Sequence, residues 1–351
     1  MNEKEKMIYL DRTPVGKDQP TYIVAEIGQN HNGDIKIAKQ LIDMAARCSV
    51  NAVKFQKRDM SCELTKDAFE TIYDNPNSFG RTYGEHRMFL ELNEEQHKEL
   101  SEYAQKAGIT YFCTPCDIPS VELMERVGSP FYKIASRDLS NIPLLEKLGT
   151  LNKPILISTG MADYDDIDNA LKALQRIIDN VIIMHCTSEY PCKMENVNLK
   201  AITALINKYD HLVGFSDHTS GIIASAVAPI FGAVIIEKHI TLNRAMKGSD
   251  QAGSLEEAGL RKLVNYIQTI EVAQGNGEKT VTEAVLPAKN KLSRSITSKI
   301  NISKGTKLTE DMIILKSPGT GLKWIEKEKI LGKTAKQDIS SDITLTEELF
   351  S

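Results

Sequence analysis

Eight short apolar runs recur through the first three-quarters of the chain: TYIVAEIG, NAVKFQ, ITYFCTP, FYKIAS, PILIST, VIIMHC, LVGFSDH and AVIIEKHI. Each is strand-length and rich in Val, Ile, Phe or Tyr. Between them apolar residues recur at helical spacing, as in IKIAKQLIDMAARC, LKALQRIIDN and NLKAITALINKY. NEEQHKELSEYAQKAG adds acidic residues early and a Gly stop. Strand and helix patterns in alternation imply parallel strands joined by crossover helices. Eight such units predict an α/β fold of the (β/α)8 TIM-barrel type rather than an open doubly wound sheet. The first strand is not followed by the GxGxxG turn of a dinucleotide-binding sheet.

The pattern changes after LRKLVNYIQTIEVAQGNG. EKTVTEAVLPAKN reads as a connector, and the remaining stretch, from RSITSKINISKGTKLTEDMIILKSPGTGL onward, shows short β-type runs, a helix start at Thr309 and several Gly turns. The predicted division is a barrel over 1–280, a linker over 281–292 and a small β-rich domain over 293–351. A chain of 351 residues suits a barrel with one appendage. The segment of about residues 58–92, after the second strand, reads as long and irregular. Loops of that length tend to be functional, and this one carries Arg81, Tyr83, His86 and Arg87.

A formal charge of −4 speaks against a nucleic-acid footprint. No apolar run is long enough to span a bilayer, and MNEKEKMIYLDRTPVG lacks the apolar centre of a secretory signal. The six cysteines are dispersed, several within apolar runs, as expected of reduced, buried thiols in a cytoplasmic protein. Cys113 and Cys116 form a CxxC, but it ends a strand and has no second pair to complete a zinc site. His97 and His211 read as solvated helix or loop residues.

Barrel enzymes place their catalytic groups at the C-terminal ends of strands, where side chains alternate between the interior and the helix layer. Glu26 lies within the first apolar run, where burial without a partner or a role costs too much. Lys54 and Gln56 share a face of the second strand, and Lys133 ends the fourth. Two lysines in apolar strands are expected to converge on one anion, a phosphate or carboxylate. Ser158 ends the fifth strand as another donor to that anion. His218 and His239 close the seventh and eighth strands. Neighbouring strands lie roughly 5 Å apart, so the two imidazoles can share a divalent metal whose open positions suit Mn²⁺ better than structural zinc. A structural salt bridge at Glu26 and snorkelling lysines are the bland alternatives. These residues indicate lyase or transferase chemistry on a phosphorylated substrate, without naming the reaction.

EIGQNHNG, VKFQKRD, TYGEHR, TPCD, YKIAS, ISTGM, HCTSEYP, GFSDHT, EKHIT and MKGSD occur in the order found in sialic acid (nonulosonic acid) synthases, and KGTKLTEDMI with KSPGTG resembles that family's antifreeze-like (SAF) domain. The resemblance covers nearly the whole chain. It implies a cytoplasmic transferase that condenses phosphoenolpyruvate with an open-chain sugar aldehyde, releasing phosphate by C–O cleavage. By that resemblance His218 and His239 are ligands of Mn²⁺, with Mg²⁺ or Co²⁺ as alternatives. Lys54, Thr114, Lys133, Ser136, Ser158, Ser188, Tyr190 and Ser216 match the phosphoenolpyruvate pocket, and Gln56, Asp138, Tyr190 and Asp250 match positions near the sugar. Glu26 matches the group that manages the proton of the attacking water, and Glu26, Lys54 and Lys133 are the catalytic set. A domain-exchanged homodimer, without nucleic-acid or membrane partners, is also implied.

The chain departs from the family pattern at three places. Asp138 stands where Glu is common, and Ser188 where users of N-acetylmannosamine often have Asn. Ser317, also a sugar-side position, stands where those members often have an Arg that contacts the N-acetyl group. Ser cannot replace an Arg donor at that reach. The expected acceptor is therefore a hexose-derived aldehyde other than N-acetylmannosamine. Two other functions fit parts of the pattern. A Schiff-base aldolase would use Lys133 or Lys54 as nucleophile, and a carbohydrate-binding barrel would perform no chemistry.

Overall fold

Eight parallel strands close on themselves in the computed structural model, which describes residues 6–351. A hairpin comes first, β1 (Met7–Leu10) paired antiparallel with β2 (Thr13–Gly16). The barrel strands are β3 (Tyr22–Gly28), β4 (Ala52–Lys57), β5 (Thr110–Pro115), β6 (Tyr132–Ile134), β7 (Ile155–Ser158), β8 (Val181–Cys186), β9 (Leu212–Asp217) and β10 (Ile235–His239). They follow chain order around the barrel, and β10 pairs with β3 to close it. All eight coincide with the apolar runs, because both faces of a strand in such a barrel are covered and the run reads as continuously apolar.

Strand parity separates two layers. Ile23, Ala25, Ile27, Val53 and Phe55 point outward and pack against helices such as Ile35–Arg47, which buries Ala38, Leu41, Ile42 and Ala45 on one face. Tyr22, Val24, Ala52, Phe112, Phe131, Leu156, Ile182 and Ile235 fill the interior at the N-terminal end, where Ile8, Leu10 and Val15 of the hairpin pack on them. Each such side chain contributes roughly 1.5–3 kcal/mol of burial. Nothing in the charged, then polar, N-terminal stretch predicts this hairpin.

Three further expectations are corrected. Residues 58–92 are irregular only in part: they contain helices Met60–Glu63, Lys66–Glu70 and Tyr83–Leu90, with an irregular stretch over 71–82. The last begins with a capping box in which Thr82 Oγ accepts from Glu85 N and the Glu85 carboxylate accepts from Thr82 N. His97 is fully buried against the Tyr111 hydroxyl at 2.6 Å, because it lies on the core face of its helix with Leu100 and Ala104. His211 is half-buried beside the Asp210 carbonyl. All six cysteines are free, and all but Cys62 are buried.

The chain divides into two compact units, one reaching to Gly275 and the other Asn276–Ser351. The second pairs β11 (Ser295–Ser298) antiparallel with β12 (Ile313–Lys316). Its own core includes Ile296, Ile302, Leu308, Ile330, Leu345 and Phe350. Thr309 precedes a 3-10 turn at Glu310–Met312, and the span 281–292 contains the short helix Leu286–Leu292.

Candidate active site

Along each strand the interior positions turn from apolar to polar toward the C-terminal end. Val24 is followed by Glu26, Ala52 by Lys54 and Gln56, Phe112 by Thr114, Phe131 by Lys133, Leu156 by Ser158, and Ile235 by Glu237 and His239. Register brings them level: Glu26 faces His239 on one side and Lys54 on the other, and Glu237 faces Ser216. They line a cavity of about 240 Å³.

Four buried charges form its floor. Lys54 Nζ lies 2.9 Å from Glu26 Oε2 and 3.5 Å from Glu237 Oε1. Lys133 Nζ lies 2.5 Å from the same Glu237 oxygen and donates to Ser216 Oγ at 3.2 Å. Both lysines thus meet at the chain's own Glu237 carboxylate, on the floor of the cavity they line. Lys54 also donates to Thr114 Oγ1, and Gln56 Nε2 to Glu26 Oε1 at 2.8 Å. Burial alone would favour neutral forms. It pushes Glu237 up, but Lys133 and Lys54 push it further down, and the carboxylate stays ionised. Burial pushes Lys54 down, yet Glu237 and Glu26 bring it above the ordinary lysine value. At Lys133 burial wins, aided by Lys54, and its pKa is lowered.

The imidazoles of His218 and His239 have ring centroids 5.6 Å apart. His218 Nδ1 lies 2.8 Å from the Thr187 carbonyl, which it can contact only as N–H donor. Its Nε2 therefore carries the lone pair, which accepts from the Tyr190 hydroxyl at 3.0 Å. Burial, then His239, holds His218 down to about 3, so the ring is neutral. His239 Nδ1 is buried with no hydrogen-bond partner, 3.9 Å from Asp250 Oδ2. One ring nitrogen on each histidine, that of His239 an orphan, with a carboxylate at hand fits a divalent ion with open positions. Among the described residues no cluster of three or more His, Cys, Asp or Glu forms a complete metal shell. Behind the two rings, on the outward face, Lys238 Nζ donates to Asp217 Oδ2 at 2.8 Å and to the Thr219 carbonyl at 2.6 Å. This pair ties β9 to β10 one residue before each histidine.

Serines ring the opposite wall. Ser136 Oγ accepts from Gly160 N at 3.0 Å, and Ser158 Oγ is buried without a partner. A Cβ at position 160 would come within 2.5 Å of Ser188 Oγ and 2.9 Å of Ser136 Oγ, so only glycine allows this approach. Of the residues expected at the site, Glu26, Lys54, Gln56, Thr114, Lys133, Ser136, Ser158, Ser188, Tyr190, Ser216, His218, His239 and Asp250 all line the cavity. Asp138 does not; its carboxylate lies 3.4 Å from Arg137 Nε. Ser317 belongs to the second unit, where its hydroxyl donates to the Leu292 carbonyl.

The sequence reading missed Glu237. The filter that found Glu26 would have found it: an acidic residue in an apolar run, two positions before His239 and so on the same face. Gln29, Arg58, Arg137 and Cys186 also line the cavity unforeseen, and Arg87 reaches it from the segment singled out after the second strand.

Fold and site together define a TIM barrel whose strand-end charges and paired histidines are gathered in one cavity. The NeuB family model matches residues 41–279 and the SAF domain model residues 293–350. The chain belongs to the NeuB family and ends in a SAF domain. It is 36% identical over 337 residues to the N-acetylneuraminate-9-phosphate synthase of Homo sapiens, covering 95% of this chain and 94% of that one. It is 37% identical over 331 residues to the N,N'-diacetyllegionaminic acid synthase of Campylobacter jejuni, covering 93% and 99%. The crystal structure of a sialic acid synthetase from Leptospira borgpetersenii superposes with a TM-score of 0.71 at 32% identity, covering 82% of this chain and 96% of that one.

Proposed function

We propose that this protein condenses phosphoenolpyruvate with an open-chain hexose-derived aldehyde to give a nonulosonic acid and phosphate. The observation that carries the reading is the buried Glu26–Lys54–Glu237–Lys133 cluster beside the His218–His239 pair. Lys54 and Lys133, with the hydroxyls of Thr114, Ser136, Ser158, Ser188 and Ser216, supply donors for the phosphate and carboxylate of phosphoenolpyruvate. His218 and His239 would hold a divalent ion, Mn²⁺ by family resemblance with Mg²⁺ or Co²⁺ as alternatives. When bound it supplies Lewis-acid polarisation of the sugar's carbonyl oxygen. C3 of phosphoenolpyruvate then attacks the aldehyde carbon, water adds at C2, and phosphate departs with its C–O bond. Glu26, held by Lys54 and Gln56, takes the proton of that water. Gln56, Tyr190 and Asp250 orient the sugar from the rim, with Asp138 and Ser317 as further sugar-side positions.

Ser188 and Ser317, in place of an amide and a guanidinium, support an acceptor other than N-acetylmannosamine. The resemblance further suggests a domain-exchanged homodimer, and the free cysteines suit a reducing cytoplasm. No helix among the described residues is long and apolar enough to cross a membrane. One observation favours a second reading: the lowered pKa of Lys133 suits an imine-forming amine. Phosphate release from phosphoenolpyruvate is the test, run with Mn²⁺ against N-acetylmannosamine, mannose and their 6-phosphates. Release that requires both sugar and metal, and disappears in His218→Ala, is the expected result. Metal-independent turnover with borohydride trapping of substrate on Lys133 would replace this reading with the aldolase.

A further inference from the structure

Five cationic side chains line the cavity, and four of them already have carboxylate partners. Lys54 and Lys133 share Glu26 and Glu237. Arg58 lies 3.1 Å from Glu91 and 3.5 Å from Glu63, and Arg137 lies 2.8 Å from Glu63. Arg87 differs. Among the described residues its guanidinium has only neutral partners: Nε donates to the Tyr83 hydroxyl at 2.9 Å and Nη1 to Gln29 Oε1 at 2.8 Å. It lies over the Tyr83 ring, 5.1 Å from the centroid. A guanidinium held on both sides by neutral groups keeps its orientation and its full charge for a guest.

Gln29 makes the second, independent observation. It is 7% exposed, lines the same cavity, and its Nε2 is buried with no hydrogen-bond partner. Its amide cannot be turned over to relieve this, because Nε2 would then face the donating Nη1 of Arg87. Both side chains line the cavity, and each keeps donor capacity that no group of the described chain answers. Leaving a buried donor unpaired is costly, and a group that accepts at several oxygens and carries negative charge resolves it. Lys54 and Lys133, assigned above to phosphoenolpyruvate, have other hydrogen-bond partners than this pair.

We propose that Arg87 and Gln29 form a second anion subsite, which binds the phosphate ester of a phosphorylated aldose and makes a sugar phosphate the acceptor. This rests on the condensation reading and narrows its substrate class. Arg87 is placed by the capped helix Tyr83–Leu90 and Gln29 by the turn after β3, so the subsite exists only where the two elements meet.

The test compares mannose with mannose 6-phosphate, with Mn²⁺ and phosphoenolpyruvate, in the wild type, Arg87→Met and Gln29→Glu. The wild type should prefer the phosphorylated sugar. Loss of one charged hydrogen-bond partner should lower kcat/KM for mannose 6-phosphate roughly 10- to 100-fold in Arg87→Met. Turnover of mannose and the KM for phosphoenolpyruvate should stay within about twofold of wild type, a selectivity that a misfolded site would not keep. Gln29→Glu places a carboxylate against Arg87 and should abolish the preference while retaining the fold. A preference that survives in both variants overturns the proposal. So does an equal loss with both sugars, or a raised KM for phosphoenolpyruvate, which would assign the subsite to that substrate. If no sugar supports phosphate release, the condensation reading fails instead, and calorimetric titration with mannose 6-phosphate decides the subsite separately. Binding lost in Arg87→Met supports it, and binding unchanged overturns it.

Discussion

Glu237→Gln removes one negative charge from between two buried ammonium groups and leaves the shape of the site nearly unchanged. In the wild type one Glu237 oxygen lies 2.5 Å from Lys133 and 3.5 Å from Lys54, and the three side chains are at most 5% exposed. Lys54 would keep Glu26 at 2.9 Å, so the ammonium left without a counter-charge is Lys133, with only Ser216 Oγ and the neutral amide oxygen at position 237 as acceptors. Breaking a buried pair by removing one partner costs about 3–5 kcal/mol. With one lysine orphaned, the lower end applies. About 3 kcal/mol corresponds to a fall of roughly 6–12 °C in the melting temperature of a unit this size. The pH dependence gives a sharper check. The folded pKa of Lys133 is already below its ordinary 10.5, and loss of Glu237 lowers it further. A lysine with a depressed folded pKa binds fewer protons folded than unfolded. Its charge therefore costs stability at low pH, and the cost fades as pH rises through the folded value toward 10.5. Lys54 has the opposite sign: its raised folded pKa contributes stability below 10.5, and Glu237→Gln removes part of it. Circular-dichroism melts in EDTA at pH 7 and pH 9 should show the variant well below wild type at pH 7 and closer to it at pH 9. A variant as stable as wild type at pH 7, or a gap that does not narrow, would refute the charge assignment.

Two further perturbations test the scaffold. Lys238→Met strands the buried Asp217 carboxylate and should cost about 3 kcal/mol in urea titrations. Asp217→Asn in the same chain removes the stranded charge, keeps Oδ1 as the acceptor for Thr219 N and turns the other position into an N–H donor to Ser225 Oγ, and should restore much of that loss; simple additivity of the two changes would contradict the pairing. His97 is held down to about 3 by burial, so the unfolded chain binds the extra proton and stability falls as pH drops below 6.5. His97→Gln should reduce the loss between pH 6.5 and 5 by about 1–2 kcal/mol, read from urea midpoints. An unchanged pH slope would mean that other groups, such as the similarly depressed His31, carry it.

Much of the site was readable because barrel strands impose parity. Once Glu26 lay within an apolar run, Lys54, Gln56, Ser158 and His239 followed as interior groups at strand ends, and all of them line the cavity. Glu237 obeys the same rule, two positions before His239 and on the same face of its strand. His97 was misread. A polar side chain on an amphipathic helix looks solvated until its partner is known, and that partner, Tyr111, lies on a strand 14 residues away. The 58–92 segment was misread because its helices are of four, five and eight residues, too short to show a clear period.

The sequence by itself determined the order of strands and helices, the closure into a barrel, the presence of a second, β-containing unit and the face on which each strand residue lies. These follow from periods of two and 3.6 residues, which are local and survive in a linear reading. Only the tertiary structure decided which charges meet. Lys133 finds Glu237 across 104 positions, and Arg87 finds Gln29 across 58. Such pairings depend on barrel closure and on register between strands and capped helices. The balance between desolvation and ion pairing, which sets the protonation of the site, exists only once those distances are fixed.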